Sequence, residues 1–318
     1  MPNLPRAIRA TISDTMNKKL KVSDENGWHR DWSDINRLPV TLAAVFCLVM
    51  YVFAAIGQSV DTRSILNGVI TKTDAINRVS YRLSYRERVY ENGKMRTGSS
   101  DIRYQKSPRR VYIKTDNGTE LLWGPDMNEG DVLVHPPSFP YFNLNLNPDG
   151  YWMRKDQHHG IEDVGFDYVS SLLKAAIIRA GDNFSSHFLY KGELTYGSAA
   201  CYEIDIVAID FGYKPYVVKK GETVITIARS HSLNEYMTLK HNPQISSYSD
   251  VKAGQSLLLP SDFAPRVILY IDKQTLFPVL LRVEDEKGVF EEYVYQDVNV
   301  NPNFNPNEFT KDCKDYRF

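Results

Sequence analysis

His158 and His159 are adjacent, and Glu162 and Asp163 follow close behind them. Two imidazoles and two carboxylates are the donor types of a metal site. A plainer reading fits the same residues: a loop-to-helix junction favours acidic side chains in the first turn, at the positive end of the helix dipole. No metal is expected. Glu87 sits between Arg86 and Arg88 in an alternating stretch, which reads as a strand whose charges pair across the ladder. The Gly-x-Ser-x-Gly pattern of a nucleophile elbow is absent, and neither Cys201 nor Cys313 has a histidine in a recognisable catalytic arrangement. No catalytic residue and no cofactor is expected, so the chain reads as non-enzymatic.

Recognition without reaction is the better-marked chemistry. Tyr216 to Lys219 reads as a short strand, and Gly221-Glu222-Thr223-Val224 as a turn. A helix then carries Ile225, Ile227 and Ala228, and a second, after Leu233, carries Tyr236, Leu239 and Lys240 before Asn242-Pro243. Val251, Gly254-Gln255 and a strand from Ser256 to Leu259 close the segment. Gly221 and Gly254 permit tight turns, and Thr223 is placed to cap the first helix. Asn242 suits a left-handed helix exit, and Pro243 cannot continue a helix. In this order and spacing, residues 216–260 resemble the LysM family over its whole length. The resemblance implies binding of N-acetylglucosamine glycans, chiefly peptidoglycan or chitin, in a shallow groove. It places that groove between Gly221, Glu222, Thr223, Val224 and Pro243, Gln244, Ile245, with backbone amides bonding the N-acetyl groups. Glu222 replaces the family's usual Asp and Val224 its usual Leu.

The elements around this segment read as a meander. Ser59 to Asn77 has helical spacing, and Arg78 to Tyr90 alternates, with Val79, Tyr81, Leu83 and Tyr85 on one face. Asn92-Gly93 supplies a hairpin turn before Lys94 to Gln105. Shorter strands are expected at 110–114, 120–123 and 131–135. A long helix follows from Ile161 to Gly181, with Phe166, Val169, Leu173, Ala176 and Ile177 on its apolar stripe. Strands resume at 185–196, 201–209, 266–272, 278–284 and 290–298. The expected class is α+β: a strongly curved antiparallel sheet, an incomplete barrel, cradling one long helix. The strings SYRERVYENGKM and KSPRRVYIK, the turn Asn147 to Gly150 and the helix start Gly165-Phe166-Asp167-Tyr168 resemble an uncharacterised bacterial family with a LolA-like, lipoprotein-carrier-like fold. That resemblance implies an apolar cavity under the helix, able to take a lipid or lipoprotein acyl chain; a helix fully packed on the sheet would give the same sequence.

The boundaries follow: a polar leader at 1–38, an apolar run at 39–57, the sheet domain at 58–213, the LysM insertion at 214–260 and the last strands at 261–318. Val40 to Gly57 carries no charge and is near the shortest length that spans a bilayer. It reads either as a signal-peptide core cleaved before Gln58, or as an uncleaved inner-membrane anchor with its basic tail in the cytoplasm. Cys47 lies within it, preceded by bulky Phe46, which does not suit a lipidation site. Either way the remainder is expected in the periplasm or otherwise outside the cytoplasm. There Cys201 and Cys313 form one disulfide or stay as two buried thiols. The formal net charge of −1 gives no electrostatic footprint for nucleic acid. The 20 tyrosines against 4 tryptophans suit half-buried strand positions, where the ring packs and the hydroxyl stays wet.

Overall fold

The computed structural model describes residues 61–318. The leader, the apolar run 40–57 expected as an N-terminal hydrophobic helix, and Cys47 lie outside the described residues. Helix α1 (Thr62–Asp74) opens the fold, its N-terminus capped by Asp61, whose carboxylate accepts from the Arg63 amide at 3.0 Å. Strands β1 (Arg78–Arg88), β2 (Met95–Gln105), β3 (Arg110–Thr115), β4 (Glu120–Trp123), β5 (Val132–His135) and β6 (Leu144–Leu146) form a continuous meander. Gly93, at a φ of +66°, turns β1 into β2 as the Asn-Gly pair predicts.

A single helical turn, α2 (Tyr151–Arg154), leads to α3 (Phe166–Ala180) and the short α4 (Phe184–His187). Strands β7 (Phe188–Tyr196) and β8 (Ala199–Val207) precede β9 (Tyr213–Val217), α5 (Val224–Ser230), α6 (Glu235–Lys240) and β10 (Ser256–Pro260). Strands β11 (Arg266–Asp272), β12 (Pro278–Asp285) and β13 (Gly288–Val300) complete the chain. Eleven strands form one curved antiparallel sheet, ordered β6-β5-β4-β3-β2-β1-β13-β12-β11-β8-β7 and not closed. Strands β9 and β10 pair only with each other. β11 returns to lie beside β8, so residues 208–265 leave and rejoin the sheet between two neighbouring strands.

Two helices, not one, cover the sheet's apolar face. Ile65, Leu66 and Val69 of α1 pack with Val169, Leu173 and Ala180 of α3 over Ile204, Leu269 and Ile271. Asp74 joins the two helices by accepting from Ser170 Oγ at 2.8 Å and Lys174 Nζ at 2.5 Å. The other half of the face buries Val79, Tyr81, Ile102, Tyr104 and Val111 beneath Ile161 and Phe166. On the reverse face, the C-terminal tail covers Tyr112 and Leu122 with Cys313 and Tyr316, the two tyrosine rings stacked at 3.7 Å.

Two helix boundaries differ from expectation. The helix predicted from Ile161 is broken: Ile161–Asp163 form a 3-10 turn, and α3 starts only at Phe166. Gly165 separates them at φ 122°, ψ 156°, a conformation open to glycine. Its Cα hydrogen side faces the Tyr104 ring, leaving no room for a Cβ. Arg109 fixes the break by donating to the carbonyls of Glu162 at 2.6 Å and Val164 at 2.9 Å. The strand predicted from Ser185 begins at Phe188, because Phe184–His187 still turn helically with Phe184 stacked on Phe188. Cys201 and Cys313 are free, buried thiols and not a disulfide; Cys201 is on β8, and Cys313 is in the C-terminal tail, packed with Tyr112.

Candidate functional site

The 216–260 segment folds around its own core of Val218, Val224, Ile225, Ile227, Ala228, Leu233, Leu239, Ile245, Leu257 and Leu259. Thr223 caps α5, its hydroxyl accepting from the Thr226 amide at 3.2 Å. Gly221 and Gly254 sit at φ +85° and +86°, as their turns require. Asn242 does not make a left-handed exit. It is buried, and its amide bridges to β10: Nδ2 donates to Leu258 O at 2.9 Å and Oδ1 accepts from Leu258 N at 2.8 Å. The side chain does what a left-handed backbone was expected to do, tying the helix exit to the last strand.

The two loops expected to form the groove are joined by one bond, from Val224 N to Tyr248 O at 2.8 Å. Gly221, Pro243 and Gln244 are exposed, Glu222 and Thr223 half-buried, and Val224 and Ile245 buried in the core. Most of the backbone donors on these loops are already engaged. Glu222 N donates to Lys219 O, Thr223 N to Thr226 Oγ1 and Ile245 N to Asn242 O. That leaves the amides of Gly221 and Gln244 without a partner among the described residues. Glu222 does not protrude: its carboxylate accepts from Tyr216 Oη at 2.8 Å and Lys219 N at 2.7 Å. The Lys219 amide, beyond the cost of burial, keeps that carboxyl below its ordinary range.

The histidines, charged residues and acids that stand out in the sequence assemble elsewhere, at the seam where α6 meets the sheet. Glu291 of β13 is fully buried. Its Oε2 meets His158 Nδ1 at 2.6 Å, while Oε1 faces His159 Nε2 at 3.3 Å and Asn234 Nδ2 at 3.1 Å. Asn234 caps α6, so one carboxylate joins the sheet, the loop and the 216–260 segment. His158 also stacks on Tyr236 with centroids 4.2 Å apart. Burial alone would raise the Glu291 carboxyl, but the two imidazoles override it and hold it down at about 2. Burial alone would lower His159, and Glu291 instead lifts it to about 9.

Beside this group, Glu235 takes Arg154 on one oxygen and Arg229 Nε, at 2.7 Å, on the other. Arg229 also pairs with Glu162, and its Nη2 lies 3.6 Å from Asp163. Glu162 and Asp163 therefore anchor a neighbouring module as well as starting a helical turn. Glu87 pairs with Arg96, directly opposite on β2, and accepts from Tyr293 Oη at 2.6 Å. No metal-like cluster occurs among the described residues. Arg154, Arg229, Asn234 and Glu291 have no local signature of the seam, because their partners across it are 57 to 133 positions away, the one near contact being that of Arg229 with Glu235 six positions on.

Between α3 and the sheet runs a narrow apolar crevice of about 90 Å³, walled by Tyr81, Leu83, Val169, Leu172, Leu281 and Tyr295. Its polar end is formed by His159, Tyr168 and Glu291. Ligand pockets hold roughly 300–1,000 Å³, so α1 and α3 fill most of the expected cavity.

Residues 216–260 match the LysM domain. Residues 76–208 match a family described as "Protein of unknown function (DUF1571)". No curated protein sequence matches the chain. Solved structures of the LolA-like, lipoprotein-carrier type are similar at low identity. A LolA superfamily protein from Nitrosomonas europaea is 11% identical, covering 80% of this chain and 99% of that one, with a TM-score of 0.30. The Mycobacterium tuberculosis lipoprotein LppX is 9% identical, covering 78% and 100%, with a TM-score of 0.37. The Pseudomonas aeruginosa MucA/MucB complex gives 12% identity, 79% and 60% coverage, and a TM-score of 0.37.

Proposed function

We propose that this chain is a non-enzymatic, extracytoplasmic envelope protein that binds an N-acetylglucosamine glycan, peptidoglycan first, through its LysM domain. The observation that carries the reading is the LysM match over the full segment, with the two loops held side by side by the Val224–Tyr248 bond. Gly221, Pro243 and Gln244 form the exposed contact surface, and the unpartnered amides of Gly221 and Gln244 are the backbone donors for N-acetyl oxygens. The sheet domain holds the module in one orientation through the buried seam. A glycan caught by the LysM domain is thereby fixed relative to the sheet, and to the membrane if residues 40–57 remain as an anchor.

A lipid or acyl chain under α3 is the second reading, favoured by the apolar walls of the crevice. It requires α3 to lift from the sheet, since the crevice falls short of a ligand pocket. The first reading is tested by titrating N-acetylglucosamine oligomers into the full-length chain by calorimetry. Saturable binding that is lost in Gln244→Arg, which places a bulky cation on the loop, is the expected result. A wild-type chain that binds neither oligomers nor insoluble peptidoglycan would overturn it.

A further inference from the structure

Two polar cavities flank the LysM domain, and their charges differ. One, of about 270 Å³, lies toward the start of α3 and presents Glu162, Asp163 and Glu235 against the single cation Arg229. The other, of about 410 Å³, lies between strands β9 and β10 and the far end of α3. Its wall holds Arg179, Lys214 and His231, the Tyr216 ring, and the hydroxyls of Ser230 and Ser261, with no carboxylate. Its size falls within the roughly 300–1,000 Å³ of ligand pockets.

The wall is fixed in place from both sides. Arg179, on α3, donates Nη2 to His231 O at 2.9 Å and pairs with Asp262. Tyr216 Oη is held by Glu222, and its ring lies perpendicular to that of His231 with centroids 5.5 Å apart. Lys214 is exposed and has no ion-pair partner among the described residues. An anion entering here meets the free Lys214 ammonium, the Arg179 guanidinium being already paired with Asp262, and no carboxylate lines the wall itself; at the other cavity it meets three carboxylates. Ser230 Oγ is committed to Ile227 O, but Ser261 Oγ accepts from Gly212 N and keeps its own hydrogen to donate, and it and the aromatic wall suit the polar groups and apolar faces of a saccharide.

We propose that this groove binds a carboxylate carried by the wall glycan, either on an acidic sugar or on its peptide stem, with Lys214 as the main charge contact. The inference rests on the LysM domain reading such a glycan, and it adds a second, charge-selecting site made jointly with α3. Three ligands separate the cases: a neutral N-acetylglucosamine tetramer, a disaccharide bearing an N-acetylmuramic acid carboxylate, and that disaccharide carrying a peptide stem. Each is titrated into the full-length chain and into Lys214→Glu, whose unfolding midpoint is checked against wild type; His231→Gln serves as a second variant.

Lys214→Glu should weaken one or both carboxylate ligands by roughly two- to fivefold, the range of an exposed charge contact, and leave the tetramer unchanged. The ligand that responds identifies the source of the carboxylate. Equal binding of the carboxylate ligands by wild type and Lys214→Glu would overturn the proposal. If the tetramer binds and the carboxylate ligands bind no better, the groove proposal falls and the LysM reading stands; if nothing binds, both fall.

Discussion

The core of the LysM domain and its seam with the sheet are built on opposite principles. The core is local and apolar: its members lie between Val218 and Leu259, and its polar groups are turn and cap devices or, at Asn242, a bridge to Leu258 within the same segment. The seam is long-range and charged. Glu291, Glu235 and His158 are each no more than 5% exposed and draw partners from the sheet, the loop before α3 and the α5–α6 hairpin. Tyr236 and Met237 add an apolar edge to it by packing on Phe263, Val283 and Phe290. A core of the first kind can be completed within one segment, whereas the seam exists only when three separate stretches are in place. The module's fold therefore depends on its own sequence, and its orientation depends on the host's.

The largest effect should come from the centre of the seam. Glu291→Ala leaves His158, His159 and Asn234 facing an empty acceptor position, and removing one partner of a buried charge pair costs about 3–5 kcal/mol. Denaturant unfolding should show that loss, while amide-exchange protection inside the LysM core, at Ile227 for example, should change far less. The same pair sets a pH profile. His159 is raised in the folded chain to about 9, so its stabilisation is full below its ordinary value of 6.5 and is lost as pH rises through about 9. Glu291 is lowered to about 2, so its contribution is full above 4.5 and is lost as pH falls through about 2. Stability should therefore be flat between pH 4.5 and 6.5 and fall on both sides. In Glu291→Gln the alkaline fall should flatten; an unchanged alkaline limb would show that the His159–Glu291 pair does not set it.

The contrast also decides what the sequence can reveal. Thr223, Gly221 and Gly254 are readable because a cap or a positive-φ turn is settled by immediate neighbours. Strands β1 and β2 are readable from alternation and the Asn-Gly turn. Asn242 misleads because its short side chain can serve either a left-handed backbone or, as here, a neighbouring strand 16 positions away. Apolar spacing does not mark the break at Gly165, since it runs through Ile161, Val164 and Phe166 while the clamp that enforces the break, Arg109, is more than 50 residues upstream; the Gly165-Phe166-Asp167-Tyr168 string marks the helix start that the spacing misses. His158 and His159 stand out as a pair, but Glu291, which gives them their role, lies on the last strand. The second helix against the sheet, α1, has a readable period but no local mark of which surface it covers.

At the edge of the seam, Gly160 should show an intermediate effect. A Cβ there would collide with Arg154 Nη1, and Arg154 cannot swing away without releasing Glu235. Gly160→Ala should cost about 1–3 kcal/mol, the usual penalty of overpacking. Adding Arg154→Ala should show coupling in a double-mutant cycle, because the clash is with that side chain. Strictly additive effects would place the strain elsewhere.

Within the LysM core, Thr223→Ala should cost about 1 kcal/mol, the value of one helix cap, because only the side-chain bond from the Thr226 amide is lost while the backbone N–H at position 223 still donates to Thr226 Oγ1. Amide exchange should report the loss in α5 and leave the seam protected. Equal loss of protection at Glu291 and in α5 would mean that core and seam open together, and that the module is not self-contained.

The smallest effect belongs to the outer end of α6. Lys240 pairs with Glu91 across the same boundary that Glu235 and Asn234 cross, but Glu91 is 54% exposed at its side chain. Water and salt screen such a pair, so Glu91→Ala should change stability by less than about 1 kcal/mol, and by less still at about 1 M salt. The two charged contacts of one short helix would then differ several-fold in value, with burial as the variable that separates them. A cost for Glu91→Ala as large as that for Glu291→Ala would show instead that bridging the two parts matters more than desolvation, and the distinction between seam and surface would collapse.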